Sequence, residues 1–462
     1  MLFKIVLAKM FNYQNDDTIA AIATPIGEGA IAIVRLSGKK ATQICAKIFS
    51  KNFNEVISHQ TTYGKIYNLN KELVDAVMLV LMKAPKSYTG EDLIEIHCHG
   101  GSYITKQVLD TLIQAGARHA LPGEFTYRAY KNKKIDLAQA EAVQELIGSK
   151  NALAKKSAAD HLIGILSTKI KSFQKQLVDL AAILEAWVDF PEEDLEFLSK
   201  DEFLNRLDRV KQEMQKLADT YDDGKILFQG ICLSIIGTPN VGKSSLMNML
   251  LKKERAIVTS VAGTTRDILE DYLHIGSLHF KLIDTAGLRD TDEEIEKEGI
   301  KRSYKAYEDA DIVLLVLDSS RDLSTFETEF LQKINPEKTL IVWNKIDLAK
   351  PDQLEKFPYQ TFTSAKNHEG IDLLKQQLEK IIWKQGAPSK DEILISQERH
   401  KLALDTAISY LSSVKQGLQN NLGCELLCEE IKGALKELST IIGSDVTEDI
   451  LSSIFSQFCL GK

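Results

Sequence analysis

Apolar and polar residues alternate along this chain in three different rhythms. From about Asp17 to Lys134 the apolar runs are short, and "AIAIVRLSG", "DAVMLVLMKAP" and "DLIEIHCHGG" are each closed by Gly or Pro, as strands are. The stretch "SYITKQVLDTLIQAGA" repeats its apolar residues at helical spacing and predicts a helix ending at Gly116. Strands and helix together predict an α+β domain. From "DLAQAEAVQELIG" to about Asp219 the apolar residues recur every three or four positions, with a break near "FPEEDLEF", so long helices are expected. At "DDGKILFQGICLSIIG" the character turns to strand, and strands alternate with helices to "LLKQQLEKIIW". After "KQGAPSK" helical spacing returns and lasts to Lys462. The expected architecture is multidomain α/β: an α+β N-terminal domain (1–134), an all-α helical domain in two halves (135–227 and 385–462), and an α/β domain (228–384) inserted between them. Such an insertion is tolerated because domain termini lie close together at the surface.

Composition narrows the class without naming a chemistry. A length of 462 residues suits about three domains, and 44% hydrophobic with 26% charged residues is ordinary for a globular protein. The formal net charge of −8 gives no global basic field. A nucleic-acid partner would need a local cluster of Lys and Arg, and Arg128, Lys131, Lys133 and Lys134 form the best one. The six cysteines (45, 98, 232, 424, 428, 459) lack the spacing of a disulfide framework, which predicts reduced thiols in the cytoplasm. No apolar run reaches the ~18–20 residues that cross a bilayer, so no membrane association is expected. The opening "MLFKIVLAKMF" has no cleavage site and reads as a short extension, or as a start placed upstream of Met10.

Several cysteines and histidines invite a sharper reading that their geometry resists. Cys459-Leu460-Gly461-Lys462 has the cysteine position of a prenylation box, but Gly461 and Lys462 fit neither its aliphatic middle nor its last residue. His97, Cys98 and His99 are consecutive on a strand, so their side chains point to opposite faces and cannot meet one ion. Cys424 and Cys428 are four apart on a helix with no further ligand nearby, and core packing is expected.

The inserted domain carries the strongest chemical signal. "GTPNVGKSS", from Gly237 to Ser245, lies between the apolar strand "ICLSIIG" and the helix "SLMNMLLKK", the context of a phosphate-binding loop. Asn240, Val241, Gly242, Lys243, Ser244 and Ser245 then cradle phosphates, with Lys243 reaching the β and γ groups and Ser244 holding Mg²⁺. "HFKLIDTAG" places Asp284, Thr285, Ala286 and Gly287 at a strand end, with the carboxylate on the magnesium side. "TLIVWNKID" supplies Asn344, Lys345 and Asp347, and a carboxylate there accepts two N–H donors that guanine has and adenine lacks. "TFTSAK" supplies Ser364, Ala365 and Lys366 behind the base, and "AGTTRD" places Thr264 and Thr265 in the loop after the first helix. Four elements in order predict a GTPase. The position after Gly287, where related enzymes keep a water-orienting glutamine, is Leu288. Asp292, Glu293, Glu294 and Glu296 follow, either as the water-orienting acid or as a solvated acidic helix start. Arg266 and Arg289 are the nearby candidates for an arginine finger.

Taken with "DTIAAIATPIGEGAIAIVRLSG", "SYTGEDLIEIHCHGG", "PGEFTYRAYKNKKIDLAQAEAV", "DTAGLRDT" and the closing "FCLGK", these motifs resemble the MnmE/TrmE family of tRNA-modification GTPases over nearly the whole chain after about Asp16. The resemblance implies a tetrahydrofolate-binding N-terminal domain, a helical domain, and a Ras-like P-loop GTPase domain inserted into it. It implies a homodimer paired through the folate domains, and a heterotetramer with an FAD- and NADH-using partner subunit, MnmG/GidA. Together these add an aminomethyl or carboxymethylaminomethyl group to C5 of the wobble uridine of certain tRNAs, drawing one carbon from 5,10-methylene- or 5-formyl-tetrahydrofolate. The G domains would pair across K⁺, held by Asn240, Thr259, Val261 and Thr264 within a nucleotide loop that includes Ser260, Ala262 and Gly263. Thr265 would join Ser244 on Mg²⁺, and Glu296 would orient the water. Arg35, Glu95, Lys134 and Lys462 would bind folate, with Lys133 standing where the family often has Gly. The last helix would carry a flexible tail to that site, where Cys459 attacks carbon 6 of uridine unless a partner cysteine does so. Two other readings are weighed against this one. A ribosome-assembly GTPase would lack "PGEFTYRAY" and the terminal cysteine, and the other alternative is a folate-dependent transferase with a regulatory G domain.

Overall fold

The computed structural model describes residues 17–25, 27–189, 199–253, 272–275, 278–283, 296–351, 354–383, 386, 388–389 and 392–461. The N-terminal part contains β1 (Ile19–Ile22), β2 (Gly29–Ser37), α1 (Ala41–Ala46), β3 (Thr61–Tyr67), β4 (Leu73–Met82), β5 (Leu93–Gly100), α2 (Ser102–Gln114) and β6 (Arg118–His119). Its sheet runs β3-β4-β5-β2-β1-β6, antiparallel except where β1 meets β6. Alternation along the strands turns Val34, Leu36, Leu79, Leu81, Ile94 and Ile96 onto one face, where they pack with Val108 and Leu112 of α2. The three expected strands and the helix are present. Strand β3 lies outside that reading because it is mostly polar, with only Gly64 and Ile66 buried. Cys98 points into this core, whereas His99 lies on the other face with its Nδ1 2.7 Å from Asp75 Oδ1.

Helices α3 (Glu124–Lys131) and α4 (Leu137–Gly148) follow, the second started by an Asp136–Gln139 capping box. Helix α3 corrects the expected basic cluster. Arg128 is only 2% exposed and donates to Asp17, Glu91 and Glu124, so burial turns it into the hub of an internal charge network. Lys131 pairs with Glu448 at 2.5 Å.

Helices α5 (Ala152–Leu162), α6 (Ile165–Asp189), α7 (Lys200–Asp219) and α8 (Tyr221–Gln229) come next. Helix α8 is a second correction: "DDGKILFQ" continues the helical run, and strand character begins only at Ile231, after Gly230 turns the backbone at φ +77°. A short apolar run such as "KILF" fits either period, and here packing decides: Leu227 is buried as a helical residue.

The α/β unit comprises β7 (Ile231–Ile236), α9 (Lys243–Lys253), β8 (Tyr272–Ile275), β9 (Leu278–Ile283), α10 (Glu296–Asp309), β10 (Ile312–Asp318), α11 (Thr325–Lys333), β11 (Thr339–Asn344), β12 (Gln360–Phe362) and α12 (Ile371–Ile382). Its sheet order is β12-β11-β10-β7-β9-β8, parallel except for β8 against β9. β10 and β11 are buried at every position, as strands covered by helices on both faces must be.

The chain then returns to helix in α13 (Glu398–Gln419), α14 (Cys424–Ile442) and α15 (Glu448–Phe455). Phe173, Leu177, Phe203, Leu411, Ile431 and Leu438 belong to one core, so the helices before and after the α/β unit form one domain into which that unit is inserted. Cys428 is buried in this core and Cys424 packs against it. Among the described residues, no helix is long and apolar enough to cross a membrane.

α15 packs on α3 through Phe455 and Tyr127, whose rings meet edge to face at 5.3 Å. The tail beyond it is held, not flexible: Gly123 N donates to Cys459 O at 3.4 Å, Phe458 is buried, and Gly461 is buried at φ +89° against the Ile22 carbonyl.

Two carboxylates of α4 join the halves of the helical domain. Glu145 accepts from the Ser396 hydroxyl and from Gln397 Nε2 at 2.8 Å. Glu141 accepts from Arg399 Nε at 2.6 Å and Nη2 at 2.5 Å. Burial opposes charge on Glu141, but the Arg399 guanidinium outweighs it and holds the carboxyl down at about 2. His400 beside it is pushed below its ordinary pKa, chiefly by burial. Because the Glu141 value is depressed, its stabilisation is present above the ordinary pKa of 4.5 and is lost as pH falls toward 2. This contribution is about 3 kcal/mol at neutral pH. Urea unfolding followed by circular dichroism should therefore show Glu141→Gln less stable than the parent at pH 7, with the gap narrowing at pH 3. A gap that is the same at both pH values contradicts the assignment.

Candidate functional site

Strand β7 is apolar to Ile236, and the loop from Gly237 to Gly242 then delivers the chain to α9 at Lys243. Asn240 at φ +64° and Gly242 at φ +98° form the tight bend. A side chain at Gly242 would collide with the amide of Asn344. That amide donates to Val241 O at 2.7 Å, while its oxygen accepts from Ala365 N at 3.1 Å. Asn344 therefore ties the loops after β7, β11 and β12 together at the C-terminal edge of the parallel sheet, where ligands of such sheets bind. Asp347 Oδ1 accepts from Ser364 Oγ at 2.6 Å, which fixes the carboxylate beside the "SAK" loop. Lys366 is exposed.

Lys243 lies along the loop, donating to the carbonyls of Gly237 and Thr238 at 2.8 Å each, and burial lowers its pKa. Ser244 and Ser245 follow in the first turn of α9, whose N-terminal dipole suits an anion. A triphosphate at the α9 N-terminus and a guanine near Asp347 are what this geometry can receive. Of the expected cation ligands, Asn240 and Ser244 are described. Thr259, Ser260, Val261, Ala262, Gly263, Thr264, Thr265, Asp284, Thr285, Ala286 and Gly287 lie outside the described residues, as do Arg266, Leu288, Arg289, Asp292, Glu293 and Glu294. β9 ends at Ile283, one residue before Asp284. Glu296 is the first residue of α10, and its side chain also lies outside the description.

Two supports of this site are missing from the motif reading. Lys345, at φ +64°, pairs with Asp318 Oδ2 at 2.6 Å. Burial of Asp318 works against its charge, but hydrogen bonds from Lys345 and Ser320 hold its pKa down. Thr238 Oγ1 donates to Glu327 Oε1 at 2.7 Å and accepts from Arg321 Nη2 at 2.7 Å, which fastens the phosphate loop to α11. The only local signal for Glu327 is "STFE", a capping box that reads as a helix start and nothing more.

A second cluster forms on the N-terminal sheet. Arg35 and Glu95 are cross-strand partners of β2 and β5. Arg35 donates through Nε at 3.0 Å and Nη2 at 2.8 Å to Glu95 Oε1, and through Nη1 at 3.0 Å to the carbonyl of Gly461. Its guanidinium lies 5.6 Å from the Phe125 ring centroid and 6.0 Å from that of Tyr88. Glu95 Oε2 is left facing His97 Nε2 at 3.7 Å, and that nitrogen is buried without a hydrogen-bond partner among the described residues. Lys134 reaches the loop that carries Tyr88, donating to Pro85 O at 2.9 Å. The structure thus brings together Arg35, Glu95 and the tail, with Lys134 linked to them through that loop. Cys459 is exposed, and Lys462 lies outside the described residues. Tyr88, Phe125 and His97 are the members that sequence reasoning missed, since aromatic residues near a Gly or Pro carry no local sign of where they pack.

Comparison with known proteins identifies the family. The family described as GTP-binding protein TrmE N-terminus matches residues 18–134, and the MnmE helical domain matches residues 137–459. The chain is 52% identical over 452 residues to the tRNA modification GTPase MnmE of Protochlamydia amoebophila, covering 97% of this chain and 98% of that one. It is 41% identical over 460 residues to the tRNA modification GTPase MnmE of Alkaliphilus oremlandii, covering 97% and 99%. The crystal structure of the G domain of the T. maritima FeoB iron transporter is 28% identical over 33% of this chain and 98% of its own, at a TM-score of 0.25, which is too low to bear on the fold. Identity that runs through the N-terminal sheet, the helical halves and the inserted unit alike makes this chain a member of the MnmE family of tRNA modification GTPases.

Proposed function

We propose that this GTPase, with an FAD- and NADH-using MnmG/GidA subunit, adds a carboxymethylaminomethyl or aminomethyl group to C5 of the uridine at wobble position 34 of certain tRNAs in the cytoplasm. The observation that carries the reading is the bond from Arg35, the partner of Glu95, to the Gly461 carbonyl, which joins residues 426 apart in sequence and brings the tail that carries the exposed Cys459 to this cluster. Bound tetrahydrofolate, as the 5,10-methylene or 5-formyl form, supplies the one-carbon unit. The cluster suits it chemically. Glu95 Oε1 is taken by Arg35, while Oε2 remains for the N–H edge of a pterin. Lys134 and Lys462 are the cations we assign to its glutamate tail. Arg35 holds the carboxylate and the tail in one place. The role we assign to Cys459 is thiolate addition to C6 of uridine, which makes C5 nucleophilic.

In the nucleotide half, Asp347 takes the two N–H donors of guanine, oriented by Ser364. Lys243 turns from the loop carbonyls to the β and γ phosphates. Ser244, with Thr265, is assigned to Mg²⁺ on the side of Asp284, and Glu296 to the attacking water. K⁺ is assigned to Asn240, Thr259, Val261 and Thr264, an all-oxygen donor set that suits a hard cation. A positive charge between two paired G domains supplies what an arginine finger supplies elsewhere. The protein acts as a homodimer joined through its folate domains.

GTP hydrolysis by the full chain should be faster in K⁺ than in Na⁺ by on the order of tenfold or more, and equal rates in the two salts remove the potassium assignment. Cells whose only copy carries Cys459→Ser should lose the modified wobble uridine in nucleoside mass spectrometry while the purified variant keeps its GTPase rate. Normal modification in those cells returns the tail to a packing role.

A further inference from the structure

We infer that Lys83, Lys86 and Lys133 form the surface that grips the phosphate backbone of the tRNA, beside the docked tail. A chain of net charge −8 has no general attraction for RNA, so binding depends on a local positive surface. The cluster read from the sequence supplies only part of it, because Arg128 is buried among carboxylates and Lys131 is paired with Glu448, while Lys133 and Lys134 are exposed. Folding assembles the rest. Lys86 N donates to Lys83 O at 2.9 Å, closing a four-residue turn that carries one lysine at each end. Lys134 Nζ donates to Pro85 O at 2.9 Å inside that turn, which docks it against the turn after α3, where Lys133 is the next residue.

Lys83, Lys86 and Lys133 are all exposed, and none of them forms an ion pair among the described residues. The nearby carboxylate of Asp92 is occupied, accepting from Ala84 N at 3.0 Å and from Thr42 Oγ1 at 3.4 Å. Lys133 holds φ +57°, a backbone state that glycine enters freely and a lysine resists, so this cation is kept in place against its own conformational preference. Groups of this kind, without partners and projecting from backbone turns, fit phosphates and not base edges.

The position of the cluster matches the role of the protein. Helix α3 has eight residues, or about 12 Å of length. Gly123, just before it, holds the Cys459 carbonyl, and the basic turn follows its other end. A strand held at Lys133 would therefore lie about one α3 length from the tail. This inference rests on tRNA being the substrate and not on the folate chemistry or on Cys459. Its test reads binding alone, so the two fail separately.

The test is fluorescence anisotropy of an unmodified tRNA transcript titrated with the full chain over a series of salt concentrations. Lys83→Glu/Lys86→Glu/Lys133→Glu should weaken binding at low salt by on the order of tenfold or more and reduce the slope of log K against log salt by about two to three. The same three positions changed to Gln should reduce the slope by a similar amount, and GTP hydrolysis should be unchanged in both. Lys171→Glu/Lys175→Glu, on the exposed face of α6, should bind as the parent does. The inference is overturned by an unchanged slope in the triple variants, by an equal loss in the α6 pair, or by a parent chain that does not retain tRNA at low salt.

Discussion

The packing of α13 and α14 against α6 and α7 is the contact on which the rest of the molecule depends. Phe173, Leu177, Phe203, Leu411, Ile431 and Leu438 are all fully buried there. Each such side chain contributes about 1.5–3 kcal/mol relative to exposure. That core is built from segments on both sides of the inserted unit, so the chain cannot complete it without passing out through the GTPase domain and back. α15 packs on α3, and the last residues reach the N-terminal sheet beside Arg35.

The same geometry gives the GTPase domain a defined seat. Its entering and leaving segments cross where Ile395 N donates to Thr220 Oγ1 at 3.1 Å, and where Gly224 has no room for a side chain against the Ile395 carbonyl. Ser396 and Gln397, the next two residues, bind Glu145 of α4. Asn151 caps α5 and also donates to Leu227 O of α8 at 3.0 Å. These polar contacts are joined by apolar ones, because Ala154 of α5 and Leu227 of α8 are buried in the core of the α/β unit itself. A rearrangement within that unit can therefore act on the helical domain through both the hydrogen bonds and this shared core.

Within the nucleotide site, the motif residues divide their work in a way their spacing does not disclose. Asn344 and Lys345 belong to one tetrapeptide with Asp347, yet Asn344 is spent on Val241 and Ala365, and Lys345 on Asp318. Asp347 is instead held by Ser364, beside the "SAK" loop. Asp318, from a strand end, and Glu327, from a helix start, complete the frame with Thr238 of the phosphate loop.

Much of this protein is legible locally. Period-two and period-3.6 patterns predict the strands, the long helices and the interruption of one helical domain by another unit, because burial of one face selects the period. The phosphate loop and the guanine motif are legible because their chemistry needs particular residues at fixed spacing on consecutive backbone. The failures share one cause. Arg128 has the composition of a surface cation, but Glu124 of its own helix and Asp17 and Glu91 from two other segments surround it. "DDGKILFQ" can be either period until Leu227 finds a core, and the tail is polar and Gly-containing until Ile22, Gly123 and Arg35 hold it. The sequence by itself determined which elements form and which nucleotide chemistry they carry, since both depend on neighbours along the chain. Which charges are buried, which lysines stay open and where Cys459 rests were decided only by tertiary structure, since these depend on partners up to hundreds of residues away.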